Sequence, residues 1–175
     1  MKKITKSFLD IFLRYLILIL VALPNLWVFY FIFTPLTIYP LYFLFKIFFE
    51  VSIAENILII EKIFPIQLIQ ACVAGAAYYL LLILNLSVPK IKLKKRLKMI
   101  FFAFFCFLII NIIRIFLLSL LIFSNSELFD LTHKLFWYAL STIFVVSIWF
   151  IEIRIFKIKE IPIYSDLKFL YKQIK

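Results

Sequence analysis

Long runs of apolar residues, broken at only a few places, are the main feature of the sequence. The stretch from Phe8 to Phe49 is almost continuously apolar, and three further runs follow it. A helix needs about 20 apolar residues to cross the hydrocarbon core, and in lipid its backbone groups pair within the segment. Barrel strands would give short segments of alternating polarity instead. The pattern predicts an all-α, polytopic transmembrane bundle forming one membrane domain over residues 1–175, with spans at about 8–27, 30–49, 66–86, 99–123 and 134–153.

The first apolar run allows two arrangements. A turn near residues 24–29, where Pro24 and Asn25 interrupt the run, divides it into two spans. One tilted span joined to a kinked interfacial helix is the alternative. A secretory signal does not fit, because its apolar region is only about 7–15 residues long and ends in a small-residue cleavage site.

Residues 50–65 do not have the composition of a span. Polar residues are spaced among β-branched ones there, which favours extended structure. We expect a short extracytoplasmic excursion at the membrane surface, extended or hairpin-like, before the helix that carries Cys72. Pro65 is expected to end the excursion and to open that helix.

The composition excludes an ordinary soluble domain. Apolar residues make up 66% of the chain and charged residues 17%, against about 45–50% and 25% in soluble proteins. The formal net charge of +11 would suggest nucleic acid in a soluble protein. Here we expect no nucleic acid, and we interpret the charge as a sign of topology and of contact with anionic membrane lipids.

The basic residues gather in three patches, at residues 2–6, 90–98 and 154–175. By the positive-inside rule the second and third patches are cytoplasmic, which makes the 66–86 span run inward and the 99–123 span run outward. The polar loop from Ser124 to Asp130 is then outside, and so is the 50–65 excursion. Two spans before that excursion would place the first basic patch outside, in mild conflict with the rule. We expect a multi-pass protein of the cell membrane.

Three polar residues meet at one depth in this topology. Cys72 lies roughly 9 Å below the outer end of the third span, and Arg114 about 13 Å below the outer end of the fourth. His133 stands at the outer start of the fifth. A buried thiol often serves only as a small apolar packing group. We interpret Cys106 in this way, because its neighbours in the sequence are aromatic. An Arg inside hydrocarbon costs about 2.5–3.5 kcal/mol on insertion scales and normally marks function.

Thiol acyl transfer is the chemistry that uses these three groups together. A thiolate attacks a carbonyl, a nearby cation stabilises the thiolate and the oxyanion, and a histidine moves protons. Asn111 lies on the same helix face as Arg114, where it can hold the guanidinium or form a hydrogen bond across helices. Asp130 is a candidate for orienting His133. We expect no cofactor and no metal, because one His and scattered carboxylates form no ligand cluster.

These residues resemble a known family. The chain contains Ala71-Cys72-Val73-Ala74-Gly75, then Asn111-Ile112-Ile113-Arg114, then His133. This order is similar to the exosortase/archaeosortase family of membrane-embedded cysteine transpeptidases, with Ala-Cys-x-x-Gly, Asn-x-x-Arg and a later His or Arg on successive helices. The resemblance covers about residues 50–155. The compact chain and the His are most similar to a small archaeal form, although Ala74 stands where many members have another small or hydroxyl residue.

The resemblance implies processing of secreted proteins whose C-terminal sorting tail combines a short motif, a transmembrane helix and a basic cluster. It implies cleavage through a Cys72 thioester and transfer to an amine acceptor such as a lipid, near the extracytoplasmic face. Carried over, Cys72 is the nucleophile, Arg114 the electrostatic stabiliser and His133 the proton carrier. Asn111 and Gly75 are supporting residues.

Two other classes of protein stay open on the sequence. In a non-catalytic membrane subunit or assembly factor, Arg114 would pair with a partner and Cys72 would only pack. In a small transporter or channel, Arg114 would be an anion site. Transporters place their sites near the midplane between repeats, whereas the polar residues here are expected near one surface.

Overall fold

A computed structural model describes residues 2–123, 128–136 and 141–174, with the side chains of residues 2–7, 130 and 174 left aside. The chain is mostly helical, at 73%. Within the described residues the elements are α1 Lys2–Ala22, α2 Trp27–Lys46, β1 Val51–Ala54, β2 Ile57–Ile60, β3 Phe64–Gln67, α3 Gln70–Val73, α4 Gly75–Leu86, α5 Leu93–Phe123, α6 Leu128–Leu135, α7 Ser141–Ile155 and α8 Tyr164–Ile174.

Two of these helices, α2 and α5, are long and apolar enough to cross a membrane by length and composition. The helices α3 and α4 form a shorter apolar segment over Gln70–Leu86. Many large apolar side chains of α2 and α5 lie on the outside of the bundle, among them Phe31, Phe43 and Phe101. Such a surface suits lipid rather than water. The predicted helical class is confirmed in this coarse form, and a small sheet accompanies it.

The segment predicted to be extended or hairpin-like folds as a three-stranded antiparallel sheet. The strand order is β1-β2-β3, with Ser52 opposite Ile59 and Ile66 opposite Leu58. Leu58 and Ile60 of the central strand are buried against Leu41 and Phe45 of α2. The sheet therefore caps one end of the bundle, here called the sheet end.

The expectation that Pro65 opens the next helix is wrong. Pro65 lies inside β3, opposite Ile59, and the helix begins at Gln70. Because residues 64–67 pair with β2, they are extended, and the helix can begin only after them. A proline signals a helix start only where no strand competes for the segment.

The core lies between α5 and its neighbours α2, α4 and α7. Tyr78 of α4 is fully buried, stacks on Phe33 of α2 at 3.7 Å between ring centroids, and meets the edge of Phe107 of α5. Small residues let the helices approach there, since Ala103 of α5 is buried in the same cluster.

The first two helices lie end to end along the bundle rather than side by side over its full length. In α1, Arg14 donates to the carbonyl of Leu86, the last residue of α4, and the Leu18 carbonyl accepts from Tyr79, further towards the start of α4. In α2, Tyr30 abuts Gly75 at the start of α4, and Phe45 packs on α5 near its C-terminus. The two helices therefore follow one another along the bundle, and the choice between the two arrangements of the first apolar run stays a prediction.

A buried charged cluster closes the opposite end, here called the basic end. Arg14 holds Asp166 of α8 with two hydrogen bonds of 2.9 Å, and both side chains are buried. Arg96 donates to the carbonyls of Asn85, Leu86 and Val88 at 2.9–3.0 Å. The last carbonyls of a helix lack intrahelical partners, so these guanidinium groups complete the end of α4.

Replacing Arg14 with Leu should destabilise the fold by about 3–5 kcal/mol, because it leaves the Asp166 carboxylate buried without its bidentate partner. The double change Arg14→Leu with Asp166→Leu should recover more than half of that loss. Unfolding of the purified protein in mixed detergent and SDS measures both. Lys172→Leu, at an exposed basic site on α8, is the matched control, and an equal loss in Lys172→Leu would contradict the assignment.

Candidate active site

The site is built around a break in a helix. Ala74 separates α3 from α4 with φ 58° and ψ 45°, the left-handed conformation. A non-glycine residue pays roughly 1–2 kcal/mol there, so surrounding contacts must hold the break in place. In an unbroken helix each carbonyl would accept from the amide four residues on. The break releases the carbonyl groups of Cys72 and Val73 from that pattern.

Two side chains of α5 take up the released carbonyl of Cys72. Asn111 Nδ2 donates to it at 2.9 Å, and Arg114 Nη2 donates to it at 3.1 Å. Asn111 also approaches the Val73 carbonyl at 3.5 Å. Residues 111 and 114 are three apart and so share a helix face. Asn111 and Arg114 share one face of α5, as predicted, and both side chains contact α3 at the backbone carbonyl of Cys72.

Arg114 has more N–H donors than it uses in hydrogen bonds to the described residues. Its Nη1 donates to Ser141 Oγ at 3.2 Å, and Ser141 in turn donates to the Phe136 carbonyl at 2.8 Å. Its Nε is buried and has no partner among the described residues. A guanidinium carries five N–H donors. The group is thus fixed on two sides by α3 and α7 while donors remain for a bound molecule.

His133 belongs to α6 and lines the same cavity as Cys72 and Arg114. Its ring stacks on Phe129 one turn earlier, at 5.4 Å between centroids. Of the predicted span over residues 134–153, the described helix α7 covers Ser141–Ile155, and His133 lies on α6, Leu128–Leu135. Residues 137–140 between them lie outside the described residues, so that span stays a prediction. The side chain of Asp130 and residues 124–127 of the predicted polar loop lie outside the described residues.

The cavity has a volume of about 570 Å³ and opens beside the sheet. Its walls come from β3, α3, the start of α4, the outer part of α5, and α6. Cys72 is half-buried with a free thiol, and Arg114 is the only Arg or Lys among the described lining residues. A thiol, a guanidinium and an imidazole thus share one apolar cleft.

Gly75 is needed for the shape of this cleft. A methyl group at Gly75 would lie 2.7 Å from Cε1 of the Tyr30 ring. Tyr30 is itself part of the cavity wall. The absence of a side chain at Gly75 therefore lets α2 approach the start of α4 beside the cysteine.

Cys106 lies elsewhere. It is half-buried in the apolar cluster of α5, α4 and α2, as predicted for a packing residue.

A larger cavity, of about 760 Å³, lies at the basic end. Asp10, Lys90, Glu160 and Lys168 are among its lining residues, and its described walls contain no thiol or imidazole. Its size alone would favour it as the site. The cavity at Cys72 is the one whose described walls combine a thiol, an imidazole and a guanidinium.

The sequence missed several residues that shape the site. Ser141 was hidden in an apolar run, where a lone hydroxyl carries no signal. Ala74 has no residue-type signature for a left-handed break. Gln67 ends β3 and Gln70 begins α3, and both line the cleft. Two amide side chains three residues apart in an apolar sequence could have indicated a polar wall.

The chain matches no protein-family model, and no curated protein or solved structure is significantly similar to it.

Gly75→Ala should push the Tyr30 ring out of its place and cost about 1–3 kcal/mol of stability through overpacking. The same change should slow labelling of Cys72 by a small maleimide in a Cys106→Ala background. Adding Tyr30→Ala should restore both readouts, since it removes the clashing ring. Ala76→Ser, on the exposed next position, is the control. Failure of Tyr30→Ala to rescue would show that the contact is not the cause.

Proposed function

We propose that this protein is a membrane-embedded cysteine protease and transpeptidase of exosortase/archaeosortase type. The observation that carries the proposal is the meeting of Cys72, Arg114 and His133 around one cleft at the sheet end of the bundle. The direct hydrogen bond from Arg114 to the Cys72 backbone supports it further. A cysteine that served only for packing would not need a cleft whose walls also carry an imidazole and a guanidinium.

The proposed reaction has two steps. The Cys72 thiol passes its proton to His133, and the sulfur forms a bond to the scissile carbonyl carbon. The C–N bond then breaks, and the proton on His133 goes to the departing amine of the tail. The acceptor amine attacks the resulting thioester and gives a proton to His133. A new amide forms, and the departing Cys72 thiolate takes that proton back.

Arg114 stabilises the negative charge that develops on the carbonyl oxygen in both steps. Arg114 lines the cleft, and the protons of its terminal nitrogens that are not donated to Cys72 and Ser141 are the donors for that oxygen. Donors held in place before the reaction cost no reorganisation when charge develops, and one such donor is worth about 10²–10³-fold in rate. Its bonds to Ser141 and to the Cys72 carbonyl provide that fixed position.

We place the protein in the cell membrane with the cleft near the extracytoplasmic face. The basic residues of the α4–α5 connection and of α8 are at the opposite end, in keeping with the positive-inside rule. Five spans were expected from hydropathy. The end-to-end contacts of α1 and α2 favour four passages, made by α1 with α2, α3 with α4, α5, and α7. The start of α1 is then at the cytoplasmic side, which removes the conflict over the first basic patch.

The proposed substrates are secreted proteins with a C-terminal sorting tail of short motif, transmembrane helix and basic cluster. Their helix would lie in lipid beside the exposed apolar faces of the bundle, which places the motif at the height of the cleft. The acceptor is an amine, such as that of a lipid.

Cys72→Ala should abolish tail removal when the protein is co-expressed with secreted proteins from the same genome that end in such a tail. The thiol is required for the acyl intermediate, so processing should fall to the level seen without the protein. Cys106→Ala is the matched control and should process at the parental level, because that thiol lies in the apolar cluster. Substrate size and membrane attachment are followed by immunoblot.

Equal processing with and without the Cys72 thiol, at equal protein levels, would contradict the proposal. It would favour the non-catalytic subunit, in which Cys72 serves only for packing.

Arg114→Lys should lower the rate of tail removal about 100-fold or more, although it keeps the positive charge. A single ammonium lacks the fork that reaches the Cys72 carbonyl and Ser141 together while leaving donors for the oxyanion. The rate is measured under single-turnover conditions with purified protein. Lys134→Arg, an exposed change on α6, is the control, and near-parental activity of Arg114→Lys would show that charge alone suffices.

A further inference from the structure

The strand β3 has one edge without a partner in the described residues. The sheet order is β1-β2-β3, so β2 is central and β3 pairs on one side only. An unpaired edge presents a row of backbone N–H and C=O groups that can pair with another extended chain.

The register defines which groups face that edge. Leu68 donates its N–H to the Asn56 carbonyl at 2.9 Å, which marks that opposed pair as hydrogen-bonded. Hydrogen-bonded and non-hydrogen-bonded pairs alternate along an antiparallel ladder. The pairs at Ile66 and Phe64 are therefore bonded to β2, whereas Pro65 and Gln67 direct their backbone groups outward. Pro65 has no N–H to lose at an outward position, which agrees with this register.

The free edge offers three groups in order: the Pro65 carbonyl, the Gln67 N–H and the Gln67 carbonyl. This spacing is what a docking strand requires, since its own outward groups recur every second residue. All four residues of β3 line the cleft that contains Cys72. Only four residues separate Gln67 from Cys72 along the chain, and both line the cleft, so a peptide bound at this edge would enter the cleft that holds the thiol.

Lipid surroundings make such pairing necessary. An extended peptide near the hydrocarbon region has backbone groups that cost several kcal/mol each if unsatisfied. A scissile bond inside a helix keeps its carbonyl engaged in the helix. A substrate that presents that bond must be extended there, and it needs backbone partners to remain so.

We infer that the edge of β3 binds the motif segment of the secreted protein by strand addition and holds it extended beside Cys72. The occupant is the peptide segment that precedes the membrane helix of the sorting tail. Main-chain pairing supplies affinity, and alternate side chains of the segment enter the apolar cleft, where Phe64 and Phe123 form part of the wall. This inference rests on the proposed function.

The test replaces the Gln67 N–H. Gln67→Pro removes that donor at a position not bonded to β2, while Gln67→Ala removes only the side chain. Val51→Pro puts a proline at the corresponding outward position of β1, on the opposite edge, and controls for damage to the sheet. Each change is made in a Cys72→Ala protein carrying the photo-crosslinker benzoylphenylalanine at Phe64, co-expressed with a tailed secreted protein. The crosslinked product is quantified against membrane-inserted protein.

Gln67→Pro should reduce crosslinking about tenfold or more relative to Gln67→Ala, because one main-chain bond in an apolar site is lost. Val51→Pro should stay near the parental yield. Undiminished crosslinking in Gln67→Pro, or an equal loss in Val51→Pro, would overturn strand addition at β3. So would the absence of any crosslink in the parent.

A proline scan of the substrate gives a second readout that leaves the protein unchanged. Prolines at every second residue of the motif segment should block crosslinking, and those between should not. Loss at all positions or at none would contradict main-chain pairing. If crosslinking follows both patterns while tail removal does not depend on the Cys72 thiol in the active protein, strand binding stands and the thioester chemistry fails.

Discussion

The carbonyl oxygen of Cys72 is the point on which the site depends. It is released by the left-handed break at Ala74 and receives hydrogen bonds from both Asn111 and Arg114. In an apolar interior an unpaired carbonyl is costly, so the break persists only with these donors present. The same bonds fix the distance between the nucleophile-bearing segment and the guanidinium. Asn111 and Arg114 therefore stabilise the broken helix and also position the groups of the proposed reaction.

The two ends of the bundle divide the polar residues between them. At the basic end, Arg14 donates to the Leu86 carbonyl and to Asp166, and Arg96 donates to the Leu86 carbonyl. These hydrogen bonds hold the helices together. At the sheet end, Arg114 donates one proton of each terminal nitrogen to Ser141 and to the Cys72 carbonyl, and the second protons have no acceptor among the described residues. The three guanidinium groups thus have different surroundings, and among the described residues Arg114 is the one that shares a cleft with a thiol and an imidazole.

The sequence predicted the helical class and brought Cys72, Arg114 and His133 to one region, because long apolar runs and isolated polar residues in them are strong signals. It could not predict which way α1 and α2 run, since hydropathy records the length of an apolar run and not its neighbours. It misplaced the helix start at Pro65, because strand pairing with β2 is a long-range effect. Ala74 and Ser141 carried no signal, as their roles exist only once α5 and α7 are packed against the break. The roles assigned to the three site residues remain predictions.

The central claim is that Cys72 forms a covalent acyl intermediate. The most direct measurement is the intact mass of the purified protein after incubation with a tailed substrate, followed by peptide mapping of the adduct and treatment with neutral hydroxylamine. The account predicts a substrate-derived mass on the Cys72 peptide that hydroxylamine releases as a hydroxamate, and no adduct on Cys106. An adduct-free Cys72 in a preparation that removes the tail would contradict it.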